Sequence, residues 1–578
     1  MLATYRVGVR PKKHLFDLLL EIDGVAGQEL ELWLPSWTPG SYLIREYARN
    51  IQEVRAEGSS GQPLRVERVS EDAWRIEVAG ASLIRVSYSV YAFDLSVRTS
   101  HLDESHAYFN GASLFLTCDA LQDQPASVTL DLPPGWKIET PLVRGEDDHF
   151  RARDYHELCD SPVHCGPDDR AVDFTAAGAP HRLVVWGTGN EDLPALARSL
   201  EAIVQQAAKV FGGLPYERYL FLTLLTDRGR GGLEHRESST LLYPRFGFRP
   251  EKSRQDFLML AAHELFHAWI VKRLRPLPLT PYRYRAESFT KLLWFFEGFT
   301  SYYEALLCLR AGLLSPARFL EIWGERMTQL ARTPGRRVQS LEDASLAAWV
   351  KFYRQDENSP NSSVSYYLKG SLVALSLEGE LRARTRSLDQ LLQTLWSRYG
   401  STELGMPEEG VRTAAEELAH APLPRVFGAV AGTDDPDYAS LEALGLRVGV
   451  RVKEGANDRG GSPARNDRER GSNLGLTFKQ DRLVIQSVLS DGPAEQAGLC
   501  PDDELMAADG FRLTPENCAL RLEQQSPGKE VRLTYFRREE LHETVLIMGE
   551  RPLDTYWIER MESPSDAQRQ AFLDWTGG

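Results

Sequence analysis

A histidine and glutamate motif in the middle of the chain has the spacing of a zinc site. Residues 261–269 read AAHELFHAW, with His263 and His267 four positions apart. On a helix these side chains lie one above the other, so both imidazoles can reach one metal ion. Catalytic zinc takes three protein ligands and a water, whose pKa it lowers to about 7. The pattern therefore predicts a zinc hydrolase with one zinc ion per chain and Glu264 as the general base.

The residues around the motif favour a metal site over a chance pair of core histidines. Apolar residues from Phe257 to Val271 fall at helical spacing and leave Glu264 and His267 as the polar groups on that face. A buried charge without a partner is costly, and a metal ion would supply the partner. The basic run at 272–275 suits the C-terminal end of such a helix, where cations are favoured.

The third ligand should come from the next helical segment, residues 288–313. Glu297 lies there within an aromatic run, Trp-Phe-Phe-Glu-Gly-Phe. A lone carboxylate among aromatic rings would be destabilising unless it met a cation. We therefore predict that Glu297 completes the metal site with the two histidines. The alternative is that Glu297 is an exposed residue or pairs with Arg285 or Lys291.

Four motifs occur along the chain in a particular order. They are Gly-Gly-Leu-Glu-His at 231–235, the zinc motif followed by Lys-Arg-Leu-Arg-Pro at 272–276, the Glu297 run at 294–303, and Tyr-Leu-Lys-Gly at 367–370. Together they resemble the PDZ-bearing glycyl aminopeptidase family, gluzincin zinc metallopeptidases with a thermolysin-like catalytic domain. The resemblance implies that fold, a zinc ion and an aminopeptidase activity with a preference for small first residues, glycine or alanine.

The same resemblance assigns a role to a tyrosine in the last motif. In the related aminopeptidases a tyrosine stabilises the oxyanion of the reaction, and the residue that fits the pattern here is Tyr367. A phenol donor about 3 Å from that oxygen is a suitable second electrophile. Tyr366 is a competitor for the role, and either tyrosine could instead be a core residue.

The glycine-rich motif suggests where a peptide substrate binds. Glycines allow a backbone to approach a ligand closely, and an extended edge can hydrogen-bond a peptide. We expect the substrate-binding residues to be Gly231, Gly232, Leu233, Glu234 and His235. Glu234 is assigned to the free ammonium group of the substrate.

The pattern along the chain predicts a multidomain α+β protein. Alternating runs separated by turns indicate a β-sandwich-like domain at 1–175, and a mainly helical catalytic domain follows at 176–435. Residues 436–552 resemble a PDZ domain, with a mobile Gly, Arg, Asp and Ser-rich insertion at about 453–473. A tail at 553–578 ends the chain.

Composition excludes some partners. The chain has 578 residues, 42% hydrophobic and 26% charged, and a net charge of -15. The acidic balance argues against nucleic acid and anionic membranes, which need basic patches. No apolar run reaches the length of a membrane span. Without a signal sequence after the first methionine we expect a cytoplasmic protein, or a periplasmic or secreted one if a leader was removed.

The sequence therefore predicts an aminopeptidase, with two rivals left open. One is a zinc endopeptidase in which Glu234 only shapes the cleft. The other is a peptide-binding protein that works through its PDZ domain and carries a vestigial metal site. The intact set of ligands and base argues against a vestigial site. Expected partners are peptide substrates and a peptide or chain terminus at the PDZ domain, while the sequence leaves the oligomeric state open.

Overall fold

The structure, a computed structural model, describes residues 1–78, 80–146, 149–167, 170–455, 457–464 and 471–577. The chain divides into two compact units. The first consists of Met1–Ser288 with Leu392–Pro407, and the second of Phe289–Leu391 with Glu408–Gly578.

The first unit begins with a β-sheet domain, as the alternating sequence predicts. Its elements are β1 (Leu2–Arg10), β2 (Leu15–Asp23), β3 (Glu29–Trp33), β4 (Ile51–Gly58), β5 (Pro63–Leu64), β6 (Val66–Arg68), β7 (Ala73–Glu77), β8 (Leu83–Tyr91), β9 (His101–Leu102), β10 (Ala107–Phe109), β11 (Ala126–Asp131), β12 (Lys137–Glu139), β13 (Val143–Arg144), β14 (Phe150–Ala152), α1 (Tyr155–Cys159) and β15 (Val163–Gly166). The largest sheet has the order β13-β14-β11-β1-β2-β8-β4-β5, and smaller sheets have the orders β12-β15-β10-β9 and β3-β7-β6. In β2 every second residue from Phe16 to Ile22 is buried, which gives the sheet its apolar face.

A five-stranded sheet and two long helices complete most of the first unit. They are β16 (Arg170–Ala176), β17 (Ala179–Trp186), α2 (Leu193–Phe211), β18 (Tyr219–Thr226), β19 (Gly231–Glu234), β20 (Ser238–Pro244) and α3 (Glu251–Phe266). The strand order is β16-β17-β18-β20-β19, so β19 is an edge strand, antiparallel to β20. The eight residues of β18 are all buried, as expected for a central strand with both faces covered.

The second unit starts with helices. The helices from here to the C-terminal region are α4 (Leu293–Arg310), α5 (Pro316–Ala331), α6 (Leu341–Leu346), α7 (Ser359–Ser362), α8 (Tyr366–Arg382), α9 (Leu388–Leu395), α10 (Gly410–Ala419) and α11 (Pro424–Ala431). Helices α4 and α8 are apolar around most of their circumference and nearly fully buried. A helix that is apolar all round belongs in a core.

The chain ends in a β-rich region. Its elements are β21 (Leu446–Val452), β22 (Ser472–Asn473), β23 (Leu476–Phe478), β24 (Ile485–Val488), α12 (Pro493–Gln496), β25 (Glu504–Ala508), β26 (Phe511–Arg512), α13 (Pro515–Cys518), β27 (Glu530–Arg537), β28 (Glu540–Ile547), β29 (Gly549–Glu550), β30 (Leu553–Arg560) and α14 (Asp566–Thr576). The tail packs back onto α4, because the indole of Trp575 donates to the Tyr302 hydroxyl at 2.6 Å.

The predicted mobile insertion falls partly on residues that the structure describes. There, Asp458 pairs with Arg451 at 2.5 Å, and the Gly461 amide donates to Tyr556 at 2.8 Å. Residues 456 and 465–470 of the insertion lie outside the described part, so its mobility stays a prediction. Among the described helices, none is long and apolar enough to cross a membrane.

Candidate active site

The zinc motif occupies the last turn of α3 and the residue after it. His263 is in the helix, and His267 follows directly as its C-cap. Their rings lie 4.8 Å apart between centroids, nearly perpendicular, and both side chains are buried. The Nδ1 of His267 lies 3.2 Å from the Ile270 carbonyl, which can only accept a hydrogen bond. Nδ1 therefore carries the proton, and Nε2 keeps the lone pair that a metal ion needs.

The helix ends earlier than the helical spacing through Val271 predicts. Helix α3 stops at Phe266, and Val271 has a φ of 74°, which is rare for a β-branched residue. The turn is held by the Lys272 amide, which donates to the His267 carbonyl at 3.2 Å. The early end brings the backbone around His267 into a fixed turn instead of a continuing helix.

The proposed general base lies against the glycine-rich strand. Glu264 is buried, and a Cβ atom on Gly232 would overlap its carboxylate. Glycine at position 232 therefore leaves the Glu264 carboxylate where it lies, and a side chain there would displace it. Ligand atoms of Glu234, Glu264 and His267 all lie within 4.8 Å of one another. The first unit thus brings the base, one metal ligand and the predicted ammonium-binding residue together.

Glu234 has the environment of a binding residue. It is 4% exposed, and within the described part of the chain no hydrogen-bond donor reaches its Oε1 atom. Leaving a buried acceptor unpaired costs about 1–3 kcal/mol, more when it is charged. An unpaired buried acceptor of this kind is expected where a bound ligand supplies the donor.

The rest of the predicted substrate strand is held by β20 and by the N-terminal domain. Gly231, Gly232 and Leu233 are opposite Leu242, Leu241 and Thr240 in the ladder. The guanidinium of Arg98 donates to the Gly232 carbonyl at 3.2 Å. His235 contacts the N-terminal domain as well, because its Nδ1 lies 3.3 Å from Asp160 Oδ1.

Two parts of this site were not predicted from the sequence. Gly40 has a φ of 98°, and a Cβ there would lie 2.5 Å from the Glu234 carboxylate. Asp160 pairs with Lys272 at 2.6 Å and accepts from the Arg236 amide at 2.8 Å. The signal for Gly40 was its place in the rigid turn Pro-Ser-Trp-Thr-Pro-Gly-Ser-Tyr at 35–42. Asp160 carries no motif at all.

Glu297 lies in the second unit, on α4. It is 2% exposed, so it is not a surface residue. The two alternative partners pair elsewhere: Arg285 binds Asp72 at 2.8 Å, and Lys291 binds Glu342 at 3.2 Å. His263, His267 and Glu297 therefore remain the candidate His-His-Glu set for a metal ion. Two nitrogens and a carboxylate oxygen are a donor set that suits catalytic zinc.

Tyr367 accompanies Glu297 in the second unit. It lies in the first turn of α8, whose N-cap Ser365 accepts from the Leu368 amide at 3.2 Å. Burial and the nearby Glu297 carboxylate raise the pKa of Tyr367 well above its usual value. The phenol therefore keeps its proton near neutral pH. Its oxygen lies 3.3 Å from that of Tyr353.

Two glycines allow the helices of Glu297 and Tyr367 to touch. A Cβ on Gly298 would lie 2.6 Å from the Gly370 backbone, and a Cβ on Gly370 would overlap the Trp294 carbonyl. Backbone atoms cannot move aside as a flexible side chain can. The Gly298 and Gly370 contact thus fixes the spacing between α4 and α8.

Comparisons with known proteins agree with this arrangement. Residues 4–167 match the Peptidase M61 N-terminal domain, and residues 256–373 match M61 glycyl aminopeptidase. A provisionally named zinc metalloprotease of Neisseria meningitidis is 34% identical over 206 residues, which are 33% of this chain and 44% of that protein. The match thus spans less than half of this curated relative.

Solved structures extend the comparison to the whole chain. The crystal structure of an aminopeptidase N family protein from Idiomarina loihiensis is 32% identical, covers 100% of both chains and has a TM-score of 0.93. An M1 zinc metallopeptidase from Deinococcus radiodurans is 14% identical with a TM-score of 0.45, covering 76% of this chain and 95% of its own. That second likeness is too distant to bear on activity. From the family matches and the full-length relative, the chain belongs to the M61 glycyl aminopeptidase family of zinc metallopeptidases.

Proposed function

We propose that this protein is a zinc aminopeptidase that removes the first residue of peptides. The buried Oε1 atom of Glu234, without a donor and beside Glu264 and His267, carries the proposal. An enzyme that trims from the amino terminus must recognise a free ammonium group. A buried carboxylate is the side chain that pairs with it most strongly.

One zinc ion would be held by His263, His267 and Glu297. In such a site zinc acts as a Lewis acid and lowers the pKa of water to about 7. Glu264 takes a proton from the attacking water and delivers it to the leaving amine. Tyr367, which keeps its proton, donates a hydrogen bond to the oxyanion. Tyr366 suits this role less because its ring is fully buried, whereas Tyr367 is partly exposed.

The backbone of β19 orients the peptide. As an edge strand it has a neighbouring strand, β20, on one side only, and an extended peptide can add along the other. The Gly232 carbonyl already accepts from Arg98. Gly231 and Gly232 let that peptide come close. A preference for glycine or alanine as the first residue rests on the family to which the chain belongs.

The C-terminal β-rich region supports a second proposal, that it is a PDZ domain. Its four-stranded sheet β26-β25-β27-β28 and the short hairpin β23-β24 are packed around one apolar core, with α12, α13 and a Gly475 turn at φ 69°. We propose that this region binds a peptide or chain terminus. The cytoplasmic location stays an expectation from the sequence.

The decisive experiment compares free and N-acetylated peptides of the same sequence. We expect the native protein to cleave the free peptide and to leave the acetylated one nearly untouched. Glu234→Gln should lower kcat/KM for the free peptide by about 10-fold to 100-fold, because a hydrogen bond to a charged group is worth about 1.5–3 kcal/mol. Glu237→Gln, three residues away, is the matched control and should change little.

The endopeptidase alternative predicts a different result. Acetylated peptides would then be cut internally at rates similar to those of free peptides. Glu234→Gln would affect both substrates equally. That outcome would replace the aminopeptidase proposal by the endopeptidase one.

A further inference from the structure

Three side chains of the N-terminal domain meet on one hairpin. His101 is in β9, Asp103 is in the turn that follows, and His106 precedes β10. One ligand atom from each of the three lies within 4.8 Å of the others. The Nδ1 of His101 is 2.8 Å from the Nε2 of His106. The spacing His-x-Asp-x-x-His is not part of the zinc motif.

The ring of His106 is held in one orientation. Its Nδ1 lies 3.3 Å from Nε2 of His164 on β15. Its face stacks on Trp186 with 3.6 Å between ring centroids and 10° between planes. His106 is fully buried, so both contacts lie in the interior of the domain. A histidine fixed through one nitrogen presents the other to a ligand, as metal-binding histidines do.

Asp103 is fixed beside the histidine pair as well. Its Oδ1 accepts from the Ser105 amide at 2.7 Å, from the Ser105 hydroxyl at 2.6 Å and from the His106 amide at 3.2 Å. All three bonds use the same oxygen. The turn therefore sets the position of the carboxylate without using its second oxygen.

We propose that His101, Asp103 and His106 form a second metal site, which binds a divalent zinc ion independently of the catalytic set. Two imidazole nitrogens and one carboxylate oxygen are borderline donors that suit zinc better than magnesium or calcium. Around a tetrahedral ion the two nitrogens lie about 3.3 Å apart, so the pair has to open by about 0.5 Å. The movement falls on a turn whose residues Glu104 and Ser105 are exposed.

The bound ion has a structural role in this proposal. It ties β9 to β10 across a turn that has only two residue pairs in its ladder. A ligand that binds only the folded state stabilises it. The ion lies in the N-terminal domain and takes no part in hydrolysis.

The test counts zinc ions on the full-length chain. Protein stripped with a chelator is titrated with Zn²⁺ and followed by calorimetry and metal analysis. We expect the native chain to bind two ions and each of the single variants, His267→Ala and Asp103→Asn, to bind one. The double variant His267→Ala/Asp103→Asn should bind none. Asp103→Asn is chosen because asparagine keeps the oxygen that accepts the three turn bonds, so the hairpin should still fold.

His14→Gln is the matched control, since His14 contacts the same hairpin through the Leu102 carbonyl at 2.6 Å but is outside the ligand set. It should still bind two ions. In the His267→Ala background, added zinc should raise the Tm, and Asp103→Asn should remove that rise. The proposal is overturned if the native chain binds a single ion and Asp103→Asn and His101→Asn do not change its zinc content or Tm. His101 and His106 would then simply share a hydrogen bond. Peptidase activity is not a readout here, so this result is separate from that of the proposed function.

Discussion

The residues of the zinc motif have separable roles, which the arrangement around α3 makes testable. His267 offers Nε2 because its Nδ1 donates to the Ile270 carbonyl, whereas Glu264, the proposed base, lies against Gly232. We expect His267→Ala to lose the catalytic zinc and all activity. Glu264→Gln should keep the zinc and lose about 10²-fold to 10⁴-fold in kcat, the usual worth of general base catalysis.

Metal analysis and kcat on the same preparations check this first prediction. Chelation of the native enzyme provides the reference for complete loss. A zinc-replete Glu264→Gln enzyme with native turnover would remove Glu264 from the mechanism.

Tyr367 differs from its neighbour Tyr366 in a way that sets the second prediction. Losing one oxyanion donor costs about 3 kcal/mol, so Tyr367→Phe should lower kcat by about 100-fold with little change in KM. Tyr366→Phe should be mild. Since burial raises the pKa of Tyr367, loss of the phenol proton should not limit the rate below about pH 10. Steady-state kinetics across pH measure all three effects, and a larger loss in Tyr366→Phe would show that the roles are reversed.

At the scale of elements, the sequence predicted which segments are helices and strands better than it predicted where these elements end and what they contact. The helical segment predicted at 288–313 contains α4, and the extended edge predicted in the glycine-rich motif is β19, because periodicity and glycine patterns are local signals. The predicted end of α3 was wrong: the helix stops at Phe266, and Val271 has a left-handed φ that no local propensity favours. The contact of Gly40 with Glu234 joins residues far apart in sequence, and one sequence alone contains no such information.

The packing of α4 on α8 gives a prediction for an element. Gly370→Ala would place a methyl group on the Trp294 carbonyl and push apart the helices that carry Glu297 and Tyr367. Overpacking of this kind costs about 1–3 kcal/mol. We expect a Tm lowered by several degrees and a kcat lowered by at least 10-fold.

Gly428→Ala in α11 is the matched control for that helix contact. No atom lies within 4 Å of a Cβ built there among the described residues. Gly428 is half-buried, and within a helix alanine is favoured over glycine by about 1 kcal/mol where it meets no clash. This variant should be as stable as the native chain or slightly more stable. Thermal unfolding and kcat are measured for both variants. A Gly370→Ala enzyme that is as stable and as active as Gly428→Ala would contradict the close contact between α4 and α8.

At the scale of the whole molecule, the N-terminal domain contacts the residues of the first unit that are proposed to bind the substrate and the metal ion. Arg98 holds the carbonyl of Gly232, and Gly40 forms a wall beside Glu234. Asp160 joins the predicted substrate strand to the turn after the zinc motif through His235 and Lys272. A β domain and a peptidase domain that share these contacts should fold and act as one body, and isolated domains should lose activity.

The pair of Asp160 and Lys272 carries the last prediction. Burial alone would raise the pKa of Asp160, but Lys272 and His235 lower it well below the usual range. Burial would lower the pKa of Lys272, but Asp160 raises it. The stabilisation from Asp160 is therefore complete above about pH 4 and is lost as the pH falls through its folded pKa. That from Lys272 is complete below about pH 10 and is lost as the pH rises through its folded pKa. The pair should stabilise the protein fully between these limits.

Breaking the pair should be costly, because it leaves a buried charge without a partner. Asp160→Asn should destabilise the protein by about 3–5 kcal/mol at pH 7. Adding Lys272→Met should recover much of that loss, since it removes the uncompensated cation while keeping most of the volume. Denaturant unfolding of the native chain, both single variants and the double variant gives the coupling energy. If the double variant were only as stable as the sum of the two single losses predicts, the two side chains would be independent. In that case the link between the N-terminal domain and the zinc motif would have to lie in Arg98 and Gly40 instead.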